Sequence, residues 1–173
     1  MALIFLDLET TGLDPQTSRI LEIAAARVDN QLNPVSGFTA IVRPIEPVER
    51  LPIVDKVREM HTVNGLLAEI AGPAAIRLMD VAAPFLAWID AQGPETHTLA
   101  GDSVHFDMSF LRVWLPYVAA RFSHRLLDVS AFRVAREYRG MPECPVQGGG
   151  HRAQSDTLAS IAKARWHLSR ITA

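Results

Sequence analysis

The sequence has a single cysteine, no apolar run of membrane-spanning length, no internal repeat and no large excess of either charge. Cys144 is the only cysteine among 173 residues, so an intrachain disulfide is excluded and a reducing compartment fits. Nothing beside it resembles an activating pair, and it reads as a bystander rather than a nucleophile. The N-terminus lacks the basic start of a signal peptide, so no membrane association and a cytoplasmic location are expected. Without low-complexity tracts or a linker, residues 1–173 are expected to form a single domain. The formal charge is only −2. A protein that grips long nucleic acid neutralises many phosphates and is usually strongly basic. If the substrate is a nucleic acid, few phosphates are held. The charge is also uneven: from Arg112 onward basic residues dominate, and the first part is correspondingly acidic.

What the sequence does have is an apolar fraction of 49%, ample for a core, and an opening stretch that concentrates chemistry. Ala2-Leu3-Ile4-Phe5-Leu6 runs into Asp7-Leu8-Glu9-Thr10-Thr11-Gly12-Leu13. An apolar run of this length bounded by a turn reads as a buried central strand. Residues two apart on a strand share a face, so Asp7 and Glu9 point the same way, their Cα atoms about 6.5–7 Å apart. Like charges held together at the mouth of an apolar strand repel and are costly to desolvate, which is relieved by protonation or by a cation between them. Carboxylates suit a hard ion such as Mg²⁺ or Mn²⁺. An isolated Asp-x-Glu at a strand end can equally be acid meeting water, so further ligands must come from elsewhere in the chain.

The remaining pattern predicts a mixed α/β sheet. Arg19 to Val28 is apolar but alanine-rich, leaving helix and strand unseparated. Gly37 to Val42 reads as a strand, and the hairpin spacing suggests an antiparallel meander. Val54 to Ile70 is helical with an interruption near Asn64-Gly65. Pro73 looks like the start of a helix reaching Ala91, with Ile76, Met79, Ala83, Leu86 and Ile89 on one face. Thr98 to Gly101 is a strand, and Asp107 to Ala120 a helix with Phe110, Leu111 and Trp114 inward. Leu126 to Asp128 is strand-like, Ser130 to Tyr138 helical, and Gly148-Gly149-Gly150 a mobile loop before a final helix. Strands alternating with helices after a meander give α/β architecture.

Two later segments supply acids and a base. Asp107 sits at a helix start just after a strand, where it can also be no more than a cap. His151 on the glycine loop precedes Asp156 in the first turn of the last helix, where a dipole-favoured Asp is common in any case. Together with Asp7 and Glu9 they make four carboxylates and one imidazole, each at the end of a regular element. That is the inventory for two-metal hydrolysis of a phosphodiester, with a base that titrates near neutrality.

Asp7-x-Glu9-Thr-Thr-Gly, Asp107 within His-Phe-Asp-Met-Ser-Phe-Leu, and His151 followed by Asp156 resemble the DEDDh 3′–5′ exonuclease superfamily along nearly the whole chain. Within it the sequence is most similar to oligoribonucleases, through Met60-His61-Thr62-Val63-Asn64-Gly65-Leu66, Gly101-Asp102-Ser103 and Arg125-Leu126-Leu127-Asp128-Val129-Ser130. The resemblance implies an RNase H-like fold, with a mixed five-stranded sheet flanked by helices. It implies that Asp7, Glu9, Asp107 and Asp156 hold two Mg²⁺ or Mn²⁺ ions and that His151 is the general base. It further implies that the substrate is a short single-stranded RNA, with DNA as an alternative, and that the protein forms a homodimer. Leu13 and His61 would lie against the bases, and Ser103, Arg125 and Ser130 around a 5′ phosphate. Backbone near Thr10 to Gly12 would pass close to the substrate, where glycine permits approach. The sequence departs from the oligoribonuclease pattern at Lys56, where an aromatic is usual, and at Asp102, His124, Leu126 and Ser155. These departures bear on substrate length and on RNA against DNA. The alternatives are a DNA-directed proofreading or repair exonuclease and an inactive nucleic-acid-binding module.

Overall fold

At the centre of the computed structural model, which describes residues 2–170, is strand β1 (Leu3–Thr10), the apolar stretch that opens the chain. It pairs antiparallel with β2 (Ile20–Val28), which pairs antiparallel with β3 (Pro34–Arg43). On its other side β1 pairs parallel with β5 (His97–Gly101), and β5 parallel with β6 (Phe122–Asp128). The ambiguous second segment is therefore a strand. Pairing along Leu3↔Val28 to Glu9↔Glu22 buries it almost completely, and that tertiary burial overrides the helix preference of its alanines.

The sheet has six strands rather than five, in the order β4-β3-β2-β1-β5-β6. The extra one, β4 (Ile76–Arg77), is two residues long and pairs parallel with Val42 and Arg43. A strand this short leaves no alternation to read. It also displaces the helix expected from Pro73: α3 spans Leu78–Asp90 and buries Val81, Phe85 and Ile89, while Ile76 and Met79 are exposed. The helix expected over Asp107 to Ala120 is two helices. α4 (His105–Trp114) stops at Leu115, and Pro116, which lacks an amide donor, opens α5 (Pro116–Ala119).

Strand alternation divides the core between the sheet's two faces. Ile4, Leu6 and Leu8 pack with Val81, Phe85 and Ile89 and with Met108, Phe110 and Leu111 of α4. Phe5 and Ala100 pack on the opposite side with Val129 of α6 (Val129–Tyr138) and Ile161 and Ala164 of α7 (Ala153–Leu168). Asp7 and Glu9 share the parity of Phe5, so they face the start of α7. A third cluster holds α1 (Asp55–Val63) and α2 (Leu66–Ala71) against Leu21, with Leu66 and Ile70 fully enclosed. Gly65, at φ +82°, makes the break between these two helices. At the end of β5, a Cβ on Gly101 would meet the Leu6 carbonyl oxygen at 2.7 Å, so glycine lets the parallel strands close beside the carboxylates.

Phe85 is completely buried and stacks on Phe38 with ring centroids 4.7 Å apart. Replacing it with Ala is expected to cost about 3–5 kcal/mol in chemical denaturation, while turnover per folded molecule stays within a few-fold, because Phe85 lies on the face away from Asp7 and Glu9.

Candidate active site

The structure brings the four expected carboxylates to the carboxyl end of β1. Asp107, in the first turn of α4, is only 3% exposed. Its Oδ1 accepts the Leu8 N–H at 2.9 Å, so it is tied to the backbone between Asp7 and Glu9 and is not a helix cap. Asp156, in the first turn of α7, accepts the Gly149 N–H on Oδ1 (2.7 Å) and the Arg152 N–H on Oδ2 (3.0 Å). Gly149 has no room for a side chain, since a Cβ there would fall 2.2 Å from the Ser155 carbonyl carbon. The ligand atoms of Glu9, His151 and Asp156 all lie within 4.8 Å of one another. The imidazole is thus beside the acids already, on a backbone at φ +58° preceded by Gly150 at φ +83°.

The acids shift one another electrostatically. Burial, then the charges of Asp156, Glu22 and Asp102, raises Asp7 to about 7 against the partial relief of Lys163. Burial, then Asp7, Asp156 and Glu22, raises Glu9 to about 9, with Arg152 opposing. Asp107 is raised well above the ordinary carboxylate range, by burial first and then by Asp7. Hard oxygen donors crowded in a dry site suit a small divalent ion, whose charge would return all of them to the ionised form. Glu9, Asp156, Asp7 and Asp107 are the residues that fit that role.

Several residues that shape the site carry no sequence signal of their own. Glu22 stands directly opposite Glu9 in the β1–β2 ladder, a like-charged pair that is unfavourable alone. Arg152 compensates it: Nε and Nη2 donate to Glu22 at 3.1 and 3.0 Å, and Nη1 and Nη2 donate to Glu69 of α2 at 2.9 Å each. Glu22 also accepts the Ala153 N–H, and the Asn64 side-chain amide donates to the His151 carbonyl. The loop expected to be mobile is held at His151 and at the two residues after it, to β2 and to the helical α1–α2 segment. Lys163, two turns beyond Asp156, pairs with Asp102 at 2.7 Å. Each of these contacts spans many residues in sequence, so only folding reveals them.

The substrate positions divide. Leu13, which follows Gly12, is 81% exposed. His61 does not match its expectation: it is 0% exposed, with Nε2 3.6 Å from Glu9 Oε2 and without a hydrogen-bond partner. Burial pushes its pKa down, so it is a neutral ring behind Glu9 rather than a surface for a base. The Thr10 hydroxyl turns inward to the Gly12 carbonyl (2.8 Å), and the Thr11 N–H is taken by the Arg19 carbonyl (2.9 Å). Gly12 itself is packed on Ser18, whose Oγ would lie 2.8 Å from a Cβ there. Ser103 and Ser130 do converge: both donate backbone N–H groups to Asp128 Oδ1, at 3.0 and 2.9 Å, and the Ser130 hydroxyl adds a third bond at 2.6 Å. Burial raises Asp128, but the bonds from Ser130, His105 and Ser103 outweigh it and hold the carboxyl below its usual range. Arg125 does not join them. Between His97↔Phe122 and Leu99↔Leu126, β5 advances two residues and β6 four, and this bulge leaves Arg125 exposed on the edge strand.

The raised acids set a pH dependence in the absence of metal. With native pKa values near 7 and 9 and lower unfolded values, the folded state holds more protons between about pH 4 and 9. Stability in EDTA is therefore greatest in mild acid and is lost as pH rises through that window. Asp7→Asn is expected to flatten the decline and to stabilise the metal-free protein at pH 8 by about 1–3 kcal/mol. Melting curves across pH, with and without Mg²⁺, check this. A metal-free wild type that is stabilised by raising the pH from 5 to 9 contradicts it.

A sequence model of the RNase T exonuclease family matches residues 4–163. The chain is 35% identical to the oligoribonuclease of Streptomyces coelicolor, over 98% of this chain and 86% of that protein. It is 32% identical to the oligoribonuclease of Tropheryma whipplei, over 95% and 90%. Among solved structures it resembles exonuclease I of Methylocaldum szegediense (TM-score 0.74, 23% identity, 98% of this chain and 40% of that one). It also resembles the zinc-bound exonuclease I–single-stranded DNA complex of E. coli (TM-score 0.75, 19% identity, 98% and 40%). The structural matches show that the fold is shared with these exonuclease I structures. From the family match over most of its length and from relatives above 30% identity end to end, the chain belongs to the RNase T exonuclease family and is a 3′–5′ exonuclease.

Proposed function

We propose that the chain hydrolyses short oligonucleotides from the 3′ end, RNA before DNA, and releases nucleoside 5′-monophosphates with two Mg²⁺ or Mn²⁺ ions and His151 as general base. The observation that carries the reading is the convergence of Asp7, Glu9, Asp107, Asp156 and the His151 imidazole at the carboxyl end of β1. The RNA preference is taken from the names of the relatives, oligoribonucleases that the chain matches over 86% and 90% of their length.

Asp7, Glu9, Asp107 and Asp156 would hold the ions, which when bound stabilise charge developing on the scissile phosphate and make water acidic enough to attack. The protein's own contribution is placement. Asp107 is fixed by the Leu8 N–H and Asp156 by two loop N–H groups, so the donors need not reorganise as charge builds. A ring nitrogen of His151 takes the proton of the attacking water, and the Arg152 clamp keeps that ring within reach of Glu9 and Asp156. Exposed Leu13 bears on the terminal bases. The Ser103–Asp128–Ser130 cluster closes the other end, and Arg125, exposed on the edge strand three residues before Asp128, would have to reach across to meet a 5′ phosphate. Lys56 is exposed on α1 where oligoribonucleases usually place an aromatic, so the length limit is looser than a stacking wall would set.

Digesting matched RNA and DNA oligomers from two nucleotides upward, with Mg²⁺ and with Mn²⁺, tests the reading. Preferential loss of two- to five-nucleotide RNA to 5′-monophosphates is expected. Faster digestion of long DNA moves the assignment to a DNA-directed exonuclease. His151→Ala is expected to lower kcat by about 10²–10⁴-fold with unchanged metal affinity, and to remove the rise in rate from acid to neutral pH. Survival of that rise identifies another base. Arg125→Ala is expected to abolish an approximately ten- to hundredfold preference for 5′-phosphorylated dinucleotides, the worth of one charge-assisted contact, and to leave longer substrates unaffected. Equal turnover of phosphorylated and unphosphorylated dinucleotides by the wild type rules out a phosphate contact at this end.

A further inference from the structure

Helices α6 and α7 leave a cavity of about 510 Å³ on the molecule's surface, closed on one side by the Met141–Pro142 segment. One wall is aromatic. Phe132 stacks on His167 with centroids 5.5 Å apart and 22° between planes, and Trp166 meets His167 edge-on at 4.9 Å. The other wall is cationic, formed by Arg136, Arg139 and Arg170, and among the described residues no acidic one lines the cavity. The Arg170 guanidinium lies 4.0 Å over the Trp166 ring.

Arg136 is the decisive side chain. It is only 7% exposed, one terminal N–H donates to the Met141 carbonyl at 3.1 Å, and its Nε has no hydrogen-bond partner. Among the described residues it makes no ion pair; its neighbour Glu137 turns to Arg133 instead, at 4.0 Å. A guanidinium is always charged, and burying one without an anion is costly. The field is felt nearby: burial first, then Arg136 and Arg170, pushes the His167 pKa down, so that ring is a neutral stacking surface.

The geometry points to a second, non-catalytic binding site for a nucleoside 5′-monophosphate, its base on the Trp166–Phe132 wall and its phosphate on Arg136, Arg139 and Arg170. Phosphate alone leaves the aromatic wall bare, and a nucleoside alone leaves Arg136 unpaired. The planar fork of Arg matches phosphate oxygens, bases stack on aromatic rings, and the volume suits a small ligand. A smaller neighbouring cavity of about 280 Å³ shares Arg136 and His167 and reaches Lys163 and Gly148. Such mononucleotides are the products of the exonuclease reaction, and only their supply rests on that reading.

The test is calorimetric titration of the intact protein in EDTA with AMP, adenosine, inorganic phosphate and a 5′-phosphorylated diadenylate. One AMP per chain is expected, with a dissociation constant below about 1 mM, and adenosine and phosphate at least about tenfold weaker. Arg139→Gln with Arg170→Gln, both on the exposed rim, is expected to weaken AMP at least about tenfold, as is Arg136→Gln where circular dichroism shows it folded. Hydrogen exchange of residues 139–150 should slow with AMP. Whichever of AMP and the diadenylate binds these arginines more tightly identifies the source as free product or strand end, and either supports the site. The inference is overturned by absence of saturable AMP binding, by phosphate binding as tightly as AMP, or by binding that ignores the arginine substitutions. Concentration-dependent self-association abolished by Arg139→Gln also overturns it, by making this face a contact between copies. Because titration in EDTA needs no turnover, an active enzyme that fails to bind AMP sinks only this inference, and an inactive one that binds sinks only the proposed reaction.

Discussion

Repulsion between carboxylates in a dry site is the constraint from which the rest of the structure follows. Asp7 and Glu9 sit on one face of a strand whose preceding residues are among the most deeply buried in the protein. Asp107 and Asp156 are brought up to them from two helices on opposite sides of the sheet. Their native pKa values rise because water is excluded and because each acid sees the others. Such a cluster is unfavourable by itself, and a divalent cation is what its chemistry would accept.

Around the cluster lies a set of compensating contacts that both tolerate the charge and fix the geometry. Arg152 stands between Glu22 and Glu69, and Lys163 beside Asp102. Arg152 does more than balance charge, since its backbone N–H holds Asp156 and its side chain reaches α2. It joins the β1–β2 hairpin, the α1–α2 segment and the His151 loop in one network. A loop rich in glycine would otherwise sample many conformations; here two glycines with positive or sterically forced geometry and one arginine select a single one.

The cluster around Asp128 is built by a different principle. Ser103, Asp128 and Ser130 satisfy one another through hydrogen bonds, while Arg125 stands apart on a bulge. The pattern shared with oligoribonucleases is kept in residue type, yet its parts are not all in contact. His61 makes the same point from inside the protein, because a residue of the expected type occupies the expected segment but lies buried behind Glu9.

The sequence by itself determined the central strand, the shared face of Asp7 and Glu9, the acids at the starts of α4 and α7, and the family. These follow from local periodicity and from motifs whose members are close in the chain. It also determined the break at Asn64-Gly65, since glycine alone adopts that backbone without cost. Only tertiary structure decided that the alanine-rich second segment is a strand, because partner strands rather than propensity supplied the burial. Only it revealed β4, whose two residues carry no pattern, and the clamp of Arg152 on Glu22 and Glu69, whose members are up to 130 residues apart. The unpaired guanidinium of Arg136 belongs here too, since in sequence it is one arginine among several. Burial and partnership are properties of the packed chain, and charge acquires its chemical meaning only once packing has fixed how much water it keeps.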